Sequence, residues 1–244
     1  MFVCRTWHAI IVEDPALWAT IILNSKIYTR IAAYKTRGSS QDKSLDAALS
    51  FYETCLQRSK SAPLRFNIDL EGFTNLGPTS ISTAGLHRLL TVFVGRSREH
   101  APRWTEFMWK HNSEILCTQD LLKCLPQELV SLQRLTLSLF DFYIPINPDE
   151  RQFPICPNLQ AVNLIDFWDN SDGKELTLFQ QSEYSSVKDL TLGNGCEWMA
   201  LDLCYMEIFR NVHTLALFGF DQDISVYCEI TSPDSVTLPH LRLL

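Results

Sequence analysis

Three aspartates, Asp166, Asp169 and Asp172, recur every third residue in DFWDNSDGKE. Clustered carboxylates are what a hard cation such as calcium needs, but an EF-hand loop sets them at alternate positions and closes on a bidentate Glu. Neither feature is present, so the segment reads as a solvated loop. The other groups able to bind a metal or act as base or nucleophile are dispersed. They are His8, His87, His100, His111, His213 and His240, with Cys4, Cys55, Cys117, Cys124, Cys156, Cys196, Cys204 and Cys228. No CxxC pair and no His at zinc-ligand spacing accompanies them. Cys55 and Cys204 fall on apolar faces, the position of buried free thiols in a reducing compartment. His213 lies in an apolar strand pattern, which suits a binding or structural role better than a base. GxSxG, HExxH, the P-loop and GxGxxG are all absent, and GNG at 193–195 is a turn without a helix behind it. The expectation is a chain with no catalytic residues, no cofactor and no metal, hence not an enzyme.

Composition narrows the partners. The 244 residues are 46% hydrophobic and 20% charged, with a net charge of −7. That is one large domain or two small ones, with enough chain for a continuous core. An acidic balance argues against general nucleic-acid binding, which draws on a basic surface to release counterions. No apolar run approaches the roughly 18 residues of a membrane span. The opening MFVCRTWHAIIVEDPALW is interrupted by Arg5 and His8 and followed by Glu13 and Asp14, a poor signal peptide. The expected compartment is cytosol or nucleus, with neither nucleic acid nor membrane as partner.

The elements that must position any site are marked by a recurring pattern: apolar, two others, apolar, one other, apolar. It appears as Leu132, Leu135, Leu137, then Leu159, Val162, Leu164, then Val187, Leu190, Leu192, then Val212, Leu215, Leu217. A looser copy is Trp104, Phe107, Trp109, and a last one begins at Leu241. The starts 104, 132, 159, 187, 212 and 241 give steps of 28, 27, 28, 25 and 29 residues. A leucine-rich repeat has this LxxLxL core and a period of roughly 20 to 29 residues. The last two apolar positions share one face of a short strand, and the first sits at the turn leading into it. Such a face is buried only by stacking on its neighbours, so the pattern has to recur. The predicted fold class is α/β, an irregular solenoid of parallel strands with helical or looped connections. The competing reading is an ordinary α/β domain with units of similar length. Leu121, Leu122 and Leu125 behind Thr118 predict one connecting helix, and Trp198, Leu201, Tyr205 and Ile208 another. Pro145, Pro148, Pro154 and Pro157 predict a looped connection.

The N-terminal third has longer units of about 40 residues. Val3, Trp7, Ile10 and Ile11 share a helical face, which Pro15 limits, and LWATIIL reads as a strand. Residues 26–43 are polar, include GSSQDK and are expected as an exposed loop. A helix is expected from about Ser44, with Leu45, Ala48, Leu49, Tyr52, Cys55 and Leu56 on its apolar face. LRFNIDL then alternates as a strand, and Leu86, Leu89, Leu90, Phe93 and Val94 mark a further helix. The array is expected to begin near residue 17.

In each strand the outward positions alternate with the buried ones. They are Glu106 and Met108, Arg134 and Thr136, Ala161 and Asn163, Asp189 and Thr191, and Thr214 and Ala216. Stacked repeats would align them on a concave sheet, the usual binding face of a solenoid. The alternative is that they are solvated or small strand residues.

Residues 3–21, VCRTWHAIIVEDPALWATI, resemble the second half of an F-box, at Val3, Cys4, Trp7, Pro15, Leu17 and Trp18. LQRSKSAPLRFNI at 56–68 is similar to the helix-to-strand junction in F-box proteins of mushroom-forming fungi, which carry irregular leucine-rich repeats. The resemblance implies a substrate receptor: the F-box docks on a Skp-type adaptor of a cullin–RING ubiquitin ligase, and the repeats hold an unknown protein substrate. The LP-containing opening helices of an F-box are missing. Residues 1–18 are therefore read as an F-box remnant with adaptor binding lost or weakened, in a fragment or mis-started chain. Residues 19–244 are read as the leucine-rich-repeat-like domain, open at its C-terminal end. The alternatives are that residues 3–21 only cap the first repeat and that the chain is a repeat scaffold with no ligase connection. A third reading, an α/β hydrolase, would require a deep pocket with convergent titratable groups.

Overall fold

The structure is a computed structural model, and it describes residues 10–35, 41–73, 81–110, 122–138, 153–165, 184–193, 209 and 211–218. Seven strands form one sheet: β1 (Thr20–Leu23), β2 (Leu64–Asp69), β3 (Trp104–Lys110), β4 (Arg134–Ser138), β5 (Ala161–Ile165), β6 (Asp189–Gly193) and β7 (Thr214–Phe218). They lie in chain order and every pair is parallel. Three helices, α1 (Ser25–Lys35), α2 (Gln41–Arg58) and α3 (Thr83–Val94), complete an α/β architecture. The LxxLxL copies starting at Leu132, Leu159, Val187 and Val212 become β4 to β7, and the looser copy becomes β3.

Register turns the sequence pattern into rows. Phe66, Phe107, Leu135, Val162, Leu190 and Leu215 are successive partners across the sheet. Ile68, Trp109, Leu137, Leu164 and Leu192 form the next row. All of these are buried except Leu215, which is half-buried. A one-residue irregularity at Leu64/Arg65 lets Leu64 face Trp104 while keeping Phe66 opposite Phe107.

The last four strands are entered through the same turn. The N–H groups of Leu132, Leu159, Val187 and Val212 donate to the carbonyls of Leu129, Cys156, Tyr184 and Phe209, at 3.0–3.1 Å. All eight residues are buried. A polar residue inside the turn reaches back one unit. Asn158 donates its amide to the Val130 carbonyl and Asn211 to the Ser185 carbonyl, both at 2.8 Å. The Ser186 hydroxyl donates to the Leu159 carbonyl at 2.8 Å. Turn carbonyls that would face water or go unpaired are thus joined to the next unit.

The first three strands are backed by helices. The apolar face of α2 is buried as predicted, and α3 buries Leu86, Leu89, Leu90, Phe93 and Val94. Ser82 caps α3 by accepting from the Gly85 N–H at 3.1 Å, and Gly95, at φ +88°, ends it. The Phe93 ring packs between Tyr52 and Phe66, with centroids 5.2 and 5.3 Å away, and Trp104 lies 4.3 Å from Phe66. Arg103 fastens the end of α2 to β3: its guanidinium donates to the Ala62 carbonyl at 2.8 and 3.1 Å and to the buried Ser59 hydroxyl at 2.7 Å.

The expected loop at 26–43 is instead largely helical, as α1 and the first residues of α2. The Asn24 side chain accepts from the Ile27 N–H at 2.9 Å and so caps α1. Tyr28 is buried edge-on against Phe73, 5.5 Å between ring centroids. One cap and one aromatic anchor, packed against α2, override the weak apolar periodicity of this segment. The Tyr52 hydroxyl covers the free edge of the sheet by donating to the Ile22 carbonyl at 2.8 Å. Thr118, Leu121, Pro145, Pro148, Asp166, Asp169, Asp172, the 198–208 helix pattern and the copy at Leu241 lie outside the described residues. Leu122 and Leu125 are buried, with residues 122–124 helical.

Candidate functional site

The predicted outward side chains fall into two continuous rows, and a third, Asp69, Lys110, Ser138 and Ile165, runs beside them. Glu106, Arg134, Ala161, Asp189 and Thr214 are consecutive partners in the first, and Met108, Thr136, Asn163, Thr191 and Ala216 in the second. All ten predicted positions therefore share one face. Each is half-buried or exposed, whereas every inward neighbour among β3 to β6 is buried. The helices pack on the other face, where Phe93 of α3 meets Phe66. Sequence reading missed that the rows continue into β2, where Arg65 pairs with Glu106 and Asn67 with Met108. The alternation of LRFNID was visible, but its distance from β3 falls outside the shorter period of the later copies.

The face has two chemical halves. On β2 to β4 it carries long and charged side chains. Glu106 stands between Arg65 and Arg134, at 3.8 and 3.9 Å, and Lys110 lies 3.8 Å from Glu71. On β5 to β7 it carries Ala161, Asn163, Thr191, Thr214 and Ala216, with Asp189 as the only charge among the outward positions described there. Asn163 donates to the Thr136 hydroxyl at 3.1 Å and ties the halves together. Amides and hydroxyls over small side chains form a surface that accepts hydrogen bonds and close approach.

Of the F-box-like positions, Val3, Cys4 and Trp7 lie outside the described residues. Residues 10–13 are helical, and Asp14 accepts from the Ala16 N–H at 2.9 Å to cap a 3-10 turn, Pro15–Trp18, with Pro15 at its start. Trp18 is half-buried against the core. Its indole N–H donates to the Ile11 carbonyl at 2.6 Å, and the Arg58 guanidinium sits 4.5 Å above its ring. Leu17, by contrast, is 57% exposed, and Ile10 and Ile11 are also exposed.

A cleft of about 620 Å³ lies between α2 and α3, lined in part by Leu56, Val92, Glu53, Arg88, Glu99 and His100. Its charges do not converge on a point. The Glu99 carboxylate is turned to the backbone and accepts from the Ser97 N–H at 2.8 Å; such backbone bonds lower its pKa. Arg88 pairs with Asp46 at 2.9 Å. Burial lowers the pKa of His100. Burial pushes the Cys55 thiol up to about 11 and the Cys156 thiol up to about 12, the opposite of an activated nucleophile. Among the described residues no group of three His, Cys, Asp or Glu side chains could hold a metal ion. No described helix is long and apolar enough to cross a membrane. Comparison with known protein families, with curated proteins and with solved structures finds no match for this chain.

Proposed function

We propose that the chain is a protein-binding module, an irregular leucine-rich-repeat-type solenoid whose outward sheet face holds a partner protein. It acts by binding rather than catalysis, in the cytosol or nucleus. One observation carries this reading: ten outward side chains from five consecutive strands stand in two unbroken rows, and each of the ten is half-buried or exposed. The test is selection from a displayed library of random peptides on the wild-type chain and on T136W/T191W. The substitutions fill the face without touching the inward rows. Selected ligands bind the wild type and lose the blocked variant; equal binding to both removes the reading.

We further propose that the role is that of a substrate receptor, with residues 3–21 directed to a Skp-type adaptor. The exposed Leu17, with Ile10 and Ile11 also exposed in the same segment, supports it, since solvent-facing apolar side chains can form an interaction surface. A second reading, a scaffold with no ligase connection, is favoured by Trp18. Its indole is spent inside the chain on Ile11 and Arg58, which makes the segment a cap on β1. Titration calorimetry with a purified adaptor separates them. A micromolar or tighter Kd, about 8 kcal/mol of binding free energy, weakened by Leu17→Asp, supports the receptor. No heat of binding leaves the scaffold.

A further inference from the structure

We infer that the charged half of the outward face is built for an acidic, extended segment of another protein, with Arg65 and Arg134 as a paired carboxylate clamp. This rests on the reading of that face as a binding surface. The two arginines lie on β2 and β4 with Glu106 of β3 between them in register. At 3.8 and 3.9 Å Glu106 is near enough to orient both guanidiniums but too far to hydrogen-bond either. The side chains are 61% and 71% exposed. Among the described residues no other group pairs with them, so two planar donor forks face solvent on a chain of net charge −7. Such forks match a carboxylate in bidentate geometry.

The row behind them sets the rest of the ligand. Met108 lies between Asn67 and Thr136, two residues further along the strands. That spacing, about 6.6 Å, is one side-chain step of an extended chain. An acidic residue on the clamp therefore places the apolar residue two positions along on Met108 and the backbone between them against the amide and hydroxyl groups. Size favours a segment over a globular surface. Among the described residues, seven strands about 4.8 Å apart and about five residues of about 3.3 Å rise give a face of about 29 by 16 Å. That is well below the roughly 800 Å² a globular partner covers on each side. A nucleic-acid backbone fits less well, because it sets a charge at every unit against Asp69, Glu106 and Asp189, whereas the segment needs one carboxylate, at the clamp.

The experiment extends the peptide selection to R65E/R134E and E106Q, with each variant's thermal unfolding checked against the wild type. R65Q and R134Q replace the double reversal if it lowers the melting temperature. The wild type enriches peptides with Asp or Glu two positions from an apolar residue. R65E/R134E binds a synthetic representative about tenfold or more weakly. E106Q binds it a few-fold more tightly, because the competing carboxylate is gone. No enrichment, enriched peptides without carboxylates, or equal binding by R65E/R134E overturns the clamp. If T136W/T191W still abolishes binding in the latter two cases, the face itself stands as the binding surface. Ligands indifferent to T136W/T191W overturn both. A short DNA duplex retained by the wild type and lost by R65E/R134E also overturns it, in favour of phosphate recognition.

Discussion

The two ends of the sheet reach the same strand geometry by different means. Between Thr20, Arg65 and Glu106 the chain takes steps of 45 and 41 residues, and the longer connections hold α1, α2 and α3. Between Glu106, Arg134, Ala161, Asp189 and Thr214 the steps are 28, 27, 28 and 25 residues. The first region fills its core with large rings, Tyr52, Phe66, Phe93, Trp104 and Phe107. The second does so mainly with leucine and valine, and stitches its turns together through Asn158, Ser186 and Asn211. Among the described residues, helix packing backs the first three strands, while a buried turn and hydrogen bonds to the neighbouring unit recur at the last four.

The largest expected effects compare the cores directly. Trp104→Ala removes the ring that joins Phe66 to Phe107 and is expected to cost about 3–5 kcal/mol. Its indole N–H has no hydrogen-bond partner among the described residues, so the loss is one of packing. Leu159→Ala, at the buried turn before β5, is expected to cost about 2–5 kcal/mol. Urea unfolding measures both. If the second region depends on stacking, L159A, read with Trp7, Trp18, Trp168 and Trp198 replaced by Phe so that only Trp104 and Trp109 report, lowers its transition without an equal effect on their fluorescence; coincident loss would show one cooperative unit.

Removing the turn stitches is a smaller change. Asn158→Ala and Asn211→Ala each lose one exposed hydrogen bond and should cost about 0.5–1 kcal/mol apiece. They sit two units apart, so the double variant should be additive. Non-additivity would mean that the stitches act as one spine.

The thiols give a comparable pair, Cys55 from α2 and Cys156 from the turn before β5. Both pKa values lie above the ordinary 9, through burial. The unfolded chain therefore gives up these protons first. The stabilisation is complete below about pH 9 and declines as the pH rises toward the folded-state values. The urea-midpoint gap between wild type and C55A/C156A should narrow from about pH 7 to about pH 10; a constant gap would mean the thiols are not protected by the fold. The smallest effect belongs to Arg88→Ala, which breaks an exposed pair with Asp46 and should cost about 0.5 kcal/mol or less by thermal unfolding.

The strands of the second region were legible because leucine and valine repeat there at nearly constant spacing. Their outward residues followed by alternation alone. The buried residue opening each turn was not legible, because Leu129, Cys156, Tyr184 and Phe209 share burial but no residue type. The backward-reaching position was visible only as scattered Asn and Ser, and its role depends on a neighbour some 26–28 residues away. Helix α1 was hidden because its cap and its Tyr28 anchor are tertiary features. Arg65 was missed as a site residue for a similar reason: its link to Glu106 spans one of the long steps.

Among the described residues the outward face and the cleft between α2 and α3 are two surfaces on which a peptide could be held, and one measurement chooses between them. A peptide selected on the wild-type chain is titrated by fluorescence anisotropy into T136W/T191W, which fills the face, and into Q57W, which fills the cleft. The account predicts that binding is lost in the first and unchanged in the second. Binding that survives T136W/T191W and is lost in Q57W would contradict it.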